Sequence, residues 1–176
     1  MHGQKKTQKH PKILALLALG ALLTLNGCGP AALQLEPAPD ATNPGCAYAL
    51  VAMPQELAGL QQRETTAQAT TAWGEPASVI LKCGVEIQEP VADPCVSVNG
   101  VDWILKPDAS NDQADQQEQA AAGTWQASTY GRSPAVQVTF DADRISSSTL
   151  LVELNSAVSQ LEQVKKCSKV SESLGL

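Results

Sequence analysis

Histidine is confined to the first ten residues of the chain, as His2 and His10, and from Pro11 to Leu176 there is none. That absence removes from the body of the protein a serine or cysteine nucleophile activated by imidazole, histidine acid or base catalysis, and any His-ligated zinc, copper or non-haem iron centre. Aromatic residues are nearly as scarce, with three tryptophans, two tyrosines and one phenylalanine, so aliphatic side chains must fill most of any core. No two cysteines stand at C-x-x-C spacing, which argues against a zinc ribbon or a thioredoxin-like redox centre. An apolar run long enough to cross a bilayer is also missing. The charge-free stretch 13–25 would make a helix only about 20 Å long, against a hydrocarbon core of roughly 30 Å.

That short run is nevertheless informative. Lys5, Lys6, Lys9 and Lys12 precede it, and Leu25-Asn26-Gly27-Cys28 closes it, which is the layout of a secretory signal with a small residue at the cut. The four closing residues resemble the bacterial lipobox, with a branched apolar residue three before the cysteine and a small one directly before it; Asn26 departs from the usual small or hydroxyl residue. The resemblance implies cleavage after Gly27, leaving Cys28 as a lipid-modified N-terminus. At about 0.8 kcal/mol per buried methylene, two or three acyl chains anchor stably where one would not. The expected location is the cell membrane, lipid-anchored on its extracytoplasmic side.

Removal of residues 1–27 from 176 leaves 149, enough for one domain with its own core. The signal carries four of the twelve basic residues and none of the eighteen acidic ones, so the mature chain has 8 − 18, a net charge of −10. A surface of that sign is a poor match for nucleic acid. Beyond Cys28 the cysteines are Cys46, Cys83, Cys95 and Cys167, an even number in a chain expected to be exported, which points to two disulfides. Of the three possible pairings, Cys46 with Cys83 and Cys95 with Cys167 each clamp one expected helix to the expected sheet.

Residues 28–43 include Pro30, Pro37 and Pro39 and read as an extended tether, able to span up to roughly 50 Å at about 3.1 Å per residue. A single domain is expected over residues 44–170, followed by a tail at 171–176. Residues 46–53 form good helix, stopped by Pro54, and a further helical turn is expected over 55–60. Residues 63–71 are polar and threonine-rich, an irregular strand or a loop. The run 78–83 reads as a buried strand. Asn99-Gly100, flanked by alternating segments at 96–98 and 101–105, carries the two positive-φ residues of a type I′ hairpin. The stretch 107–122, rich in Asp, Gln and Ala, is expected to be a surface insertion. Residues 123–130 and 135–140 suit a second hairpin. Leu150, Leu154, Ala157, Val158, Leu161 and Val164 recur at helical spacing; residues 149–154 alone fit a last strand equally, with Asn155 or Ser156 capping a shorter helix. The expected fold is α+β: an antiparallel sheet of about four to five strands built from hairpins, with an N-terminal and a C-terminal helix packed on it.

Three segments carry a wider resemblance. Ala72-Trp73-Gly74-Glu75-Pro76 leading into Val79-Ile80-Leu81-Lys82-Cys83-Gly84, then Val98-Asn99-Gly100-Val101-Asp102-Trp103, then Thr129-Tyr130-Gly131-Arg132-Ser133-Pro134, in this order behind a lipobox, resemble an actinobacterial lipoprotein family known only as a domain of unknown function. Lys82 stands where that pattern leads one to expect arginine. The resemblance spans about residues 44–165. It implies an exported, membrane-tethered α+β domain and supplies no catalytic residue.

Candidate chemistry is sparse. Asp141-x-Asp143 begins like a calcium loop, but Ile145 occupies a ligand position and Val152 stands where the bidentate glutamate belongs, so a solvated turn is the expectation. The carboxylates of Glu89 and Asp93, or of Glu75 and Asp102, would need a defined separation to act as glycosidase acid and base. Aromatic residues and arginine are the types enriched at binding hot spots, which singles out Trp73, Trp103, Trp125, Tyr130 and Arg132; a core short of large side chains favours packing for most of the five, and Trp73, Tyr130 and Arg132, each beside glycine or turn residues, are the candidate patch. No cofactor and no metal are implied. The reading that follows is a tethered binding or assembly module whose partner is an envelope protein or a wall polymer, with a histidine-free envelope hydrolase using paired carboxylates as the alternative.

Overall fold

The computed structural model describes residues 31–87, 93–108 and 123–167. The signal stretch 1–27, Cys28, Glu89, most of the expected insertion at 107–122 and the tail at 171–176 lie outside the described residues.

The architecture is mostly sheet, which overturns the expected α+β layout of four to five strands between two terminal helices. Among the described residues there are ten strands: β1 (Glu56–Leu57), β2 (Leu60–Arg63), β3 (Thr70–Trp73), β4 (Val79–Val85), β5 (Cys95–Val98), β6 (Val101–Pro107), β7 (Thr124–Thr129), β8 (Arg132–Ser133), β9 (Ala135–Asp141) and β10 (Glu162–Gln163). Eight of them form one sheet in the order β1-β2-β3-β4-β9-β7-β6-β5, and β8 pairs with β10 in a separate ribbon. Every named strand pair is antiparallel. The helices are short: α1, Pro44–Val51, has 8 residues and α2, Ser147–Val158, has 12.

The extra strands come from residues whose side chains hide the pattern. Residues 55–60, expected as a helical turn, form the β1–β2 hairpin, because Ala58 and Gly59 take φ of 51° and 78° and supply the paired positive-φ turn normally signalled by Asn-Gly. The threonine-rich stretch 63–71 begins on the last residue of β2, continues as a connection over 64–69, and ends in the first two residues of β3. Residues 149–154 are helical and belong to α2. That helix buries Leu150, Leu154, Ala157 and Val158 but ends before Leu161, which is buried beyond the helix, and before Val164, which is exposed. The Asn99-Gly100 hairpin forms as expected, with φ of 49° and 82° and Val98 opposite Val101.

Period-two alternation assigns the faces of the sheet. Val79, Leu81 and Cys83 of β4 lie opposite Phe140, Val138 and Val136 of β9, and with Ala127, Trp103 and Trp73 they form the core with Ala49, Leu150 and Leu154 of the helices. The opposite face is more polar, with Thr139, Gln137, Gln126 and Ser128 in register between Lys82 and Lys106. Gln137 Nε2 donates to Gln126 Oε1 at 3.2 Å and to Ser128 Oγ at 3.3 Å, and Gln126 Nε2 donates to Asp108 Oδ1 at 2.8 Å.

Both disulfides pair as the positions of the cysteines predict. Cys46 of α1 joins Cys83 of β4 with a Cα–Cα distance of 5.6 Å, and Cys95 of β5 joins Cys167 at 6.0 Å. The first is buried in the core, whereas Cys95 is exposed.

The segment read as a tether is a strap for most of its length. One compact unit runs from Ala32 onward. Leu33 N donates to Glu64 O at 2.9 Å and Thr66 N to Leu33 O at 3.0 Å, forming a parallel bridge to the β2–β3 connection. Leu35 N donates to Thr66 Oγ1 at 3.2 Å, and Asp40 N to Gly84 O at 2.9 Å. Ala38 and Ala41 are buried. A Pro-rich, polar composition reads as an extended linker, yet such a chain can still dock through the backbone groups of its non-proline residues.

Candidate functional site

The residues singled out from the sequence do not converge. Trp73, on the inner face of β3, is fully buried, and its Nε1 donates to Pro54 O at 2.9 Å, which holds the end of α1 against the sheet. Tyr130 is half-buried, and its backbone N donates to Asp102 O at 2.8 Å. Arg132 is also half-buried and is engaged with backbone. Its guanidinium donates to Leu161 O at 2.6 Å, Gly100 O at 3.1 Å and Ser159 O at 3.3 Å. It thereby satisfies carbonyls just past the C-terminus of α2 and joins them to the β5–β6 turn. Gly131 beside it has φ of 66°, and a Cβ there would run into the backbone of Lys165. In this chain the Tyr130-Gly131-Arg132-Ser133-Pro134 stretch is a structural clamp.

The carboxylates are likewise committed elsewhere. Glu75 forms an ion pair with Arg63 at 2.7 Å, in the turn between β3 and β4. Asp102, on β6, is buried and accepts from Cys167 N at 2.8 Å, and β4, β9 and β7 lie between its strand and β3. Asp141 Oδ1 accepts from the backbone N of Asp143 at 3.0 Å, a local turn, and Ile145 is in the core. Among the described residues no group of three His, Cys, Asp or Glu side chains gathers as metal ligands would.

What the fold does bring together is a cleft of about 530 Å³ beside β2 and β3, lined by Leu50, Gln55, Gln62, Thr65, Thr70 and Thr71, with Arg63 and Glu64 completing it. That volume lies within the range of small-ligand sites. Leu50 comes from α1, Gln55 from the start of the β1–β2 hairpin, and Gln62 and Thr71 from the inward-facing positions of β2 and β3. The polar groups are fixed by one another: Gln55 Nε2 donates to Gln62 Oε1 at 2.8 Å, and Gln62 Nε2 to Thr71 Oγ1 at 2.8 Å. Thr65 Oγ1 and Thr70 Oγ1 are 2.7 Å apart, and Thr70 Oγ1 donates to Ala67 O at 2.7 Å. Interlocked amides and hydroxyls of this kind hold their orientation before any ligand arrives, so little order is lost on binding. Arg63 is matched by Glu75 and also donates to Gly74 O at 3.3 Å, so the carboxylate of Glu64 leaves the lining weakly acidic. A second recess of about 360 Å³, by contrast, is walled mainly by Leu105, Trp125, Phe140 and Ile145.

Sequence reasoning missed the cleft. The one signal was polar residues at inward positions of short strands, Gln62 and Thr71, and it is readable only once those strands and their register are known.

The family described as a protein of unknown function (DUF3515) matches residues 11–167 of the chain. No curated protein and no solved structure matches it.

Proposed function

We propose for this chain, which belongs to the DUF3515 family of proteins of unknown function, the role of a lipid-anchored binding module of the cell envelope, an actinobacterial lipoprotein attached through Cys28 to the extracytoplasmic side of the membrane. Leu25-Asn26-Gly27-Cys28 at the end of a short apolar run behind four lysines carries this reading. Two disulfides in the domain that follows support it, because such bridges persist in oxidising compartments. The cleft supports binding over catalysis, since its lining is mainly amides and hydroxyls that recognise by hydrogen bonding, with Glu64 the single carboxylate among the described lining residues. The partner is an envelope protein or a wall polymer, reached from the membrane. No observation favours the hydrolase alternative.

The test is to express the full chain and its Cys28→Ala variant in a bacterial host that processes lipoproteins. The wild-type chain should fractionate with membranes and yield an N-terminal peptide starting at an acylated Cys28, while the variant should lose the acyl mass and its normal processing. An unmodified Cys28, or a variant processed and retained like the wild type, would overturn the anchor. Pull-down with the soluble domain then tests partner capture.

A further inference from the structure

We propose that the domain lies close against the bilayer, and that its cleft takes the uncharged, polyhydroxylated head group of a membrane-resident amphiphile. The inference rests on the lipid-anchored reading given above and adds to it a distance and a ligand class.

The distance follows from the strap. A free spacer over residues 28–43 would let the domain stand tens of ångströms away, but Leu33 is fixed to the β2–β3 connection through Glu64 O and Thr66 N. Cys28 precedes Leu33 by five residues. Five residues span at most about 18 Å when fully extended, so a lipid on Cys28 keeps Leu33 within that distance of the interface. The sheet then decides which part of the domain is near. β3 has four residues, so about 13 Å separates the end carrying the β2–β3 connection from the end carrying the β3–β4 turn, beside which β9 ends and Asp143 follows. The cleft runs along β3 from the near end, where Glu64, Thr65 and Thr70 line it and the strap is received, to Gln62, which lies opposite Trp73 toward the far turn.

The ligand class follows from the lining. Gln55, Gln62, Thr65, Thr70 and Thr71 each carry groups that donate and accept, which complements sugar-like hydroxyls. The charge of Arg63 is matched by Glu75 and Glu64 adds a carboxylate to the lining, so the cleft accepts from sugar hydroxyls there and does not favour an anionic head group. The mature chain, at −10 from 8 basic and 18 acidic residues, adds repulsion of anionic lipid on approach. A neutral glycosylated amphiphile meets both conditions.

The experiment uses the full lipidated chain in phosphatidylcholine vesicles that hold an acceptor dye in the lipid, with a donor at Gln68→Cys or at Asp143→Cys. Energy transfer should be strong from position 68 and several-fold weaker from 143. Adding a neutral diglycosyl diacylglycerol should slow amide exchange across Gln62 and Thr70–Trp73 at least threefold, phosphatidylglycerol should not, and Gln62→Leu should abolish the slowing without changing transfer from position 68. Protein that fails to stay on the vesicles overturns the anchor and the inference together. Retained protein with equal transfer from both positions overturns the close placement alone. Retained and close protein whose exchange does not respond to glycolipid, responds equally to the anionic lipid, or responds equally to soluble wall glycan overturns the ligand class.

Discussion

At the residue scale, Arg132 carries the largest share of work that its sequence position does not announce. One planar guanidinium reaches the carbonyls of Ser159 and Leu161 beyond α2 and of Gly100 in the β5–β6 turn. Lysine could not copy this, because a single ammonium on a flexible stem does not present that fork of donors. Hydrogen bonds to charged groups contribute about 1.5–3 kcal/mol. Arg132→Ala is therefore expected to destabilise by about 2–3 kcal/mol in urea unfolding, with Arg132→Lys recovering less than half. A loss within about 0.5 kcal/mol, the range of ordinary surface changes, would show that the clamp does not matter. Trp73 and Arg132 were both legible as important and illegible as to why. Aromatic rings and arginine serve binding hot spots and core clamps alike, and only the partner atoms, Pro54 O for one and three carbonyls for the other, separate the roles.

At the element scale, the strap and the first hairpin resisted sequence reading for related reasons. The Asn99-Gly100 hairpin, the strand at Val79–Val85 and the apolar stripe of α2 announce themselves through side chains. The strap is held by backbone groups of Leu33, Leu35 and Asp40, and the β1–β2 turn places an alanine at φ 51°, so neither leaves a compositional trace. The cleft inherits that invisibility, being assembled from α1, β2, β3 and the connection between them. The close approach of the strap can be tested at Gly84, which takes φ of 88° and whose missing Cβ would run into the carbonyl group of Asp40. Gly84→Ala should lift the strap. Amide exchange at Asp40 should accelerate by at least tenfold while exchange at Leu81 in mid-strand stays protected. Unchanged protection at Asp40 would mean that the strap does not depend on the bare glycine.

At the scale of the whole molecule, an eight-stranded sheet packed with α1 and α2 has many non-local pairings to hold, and the two disulfides close loops across them. Their sequence separations are 37 and 72, for which chain entropy gives about 4 kcal/mol each, against roughly 5–15 kcal/mol for a typical domain. The bridges differ in access. Cys46 and Cys83 are 2% and 0% exposed within the core, whereas Cys95 lies exposed on the edge strand β5 and Cys167 is half-buried. Attack by a thiolate requires approach to a sulfur, so mild reductant under native conditions should open Cys95–Cys167 first and leave a folded protein with two free thiols. Opening Cys46–Cys83 requires the core to part, and it should coincide with global unfolding. Thiol labelling with peptide mapping, followed over time beside a near-ultraviolet tryptophan signal, reads both steps: label should appear on Cys95 and Cys167 while the signal persists, and on Cys46 and Cys83 only as it decays. If all four cysteines were labelled at one rate, the unequal burial of the bridges would have no bearing on how the domain comes apart.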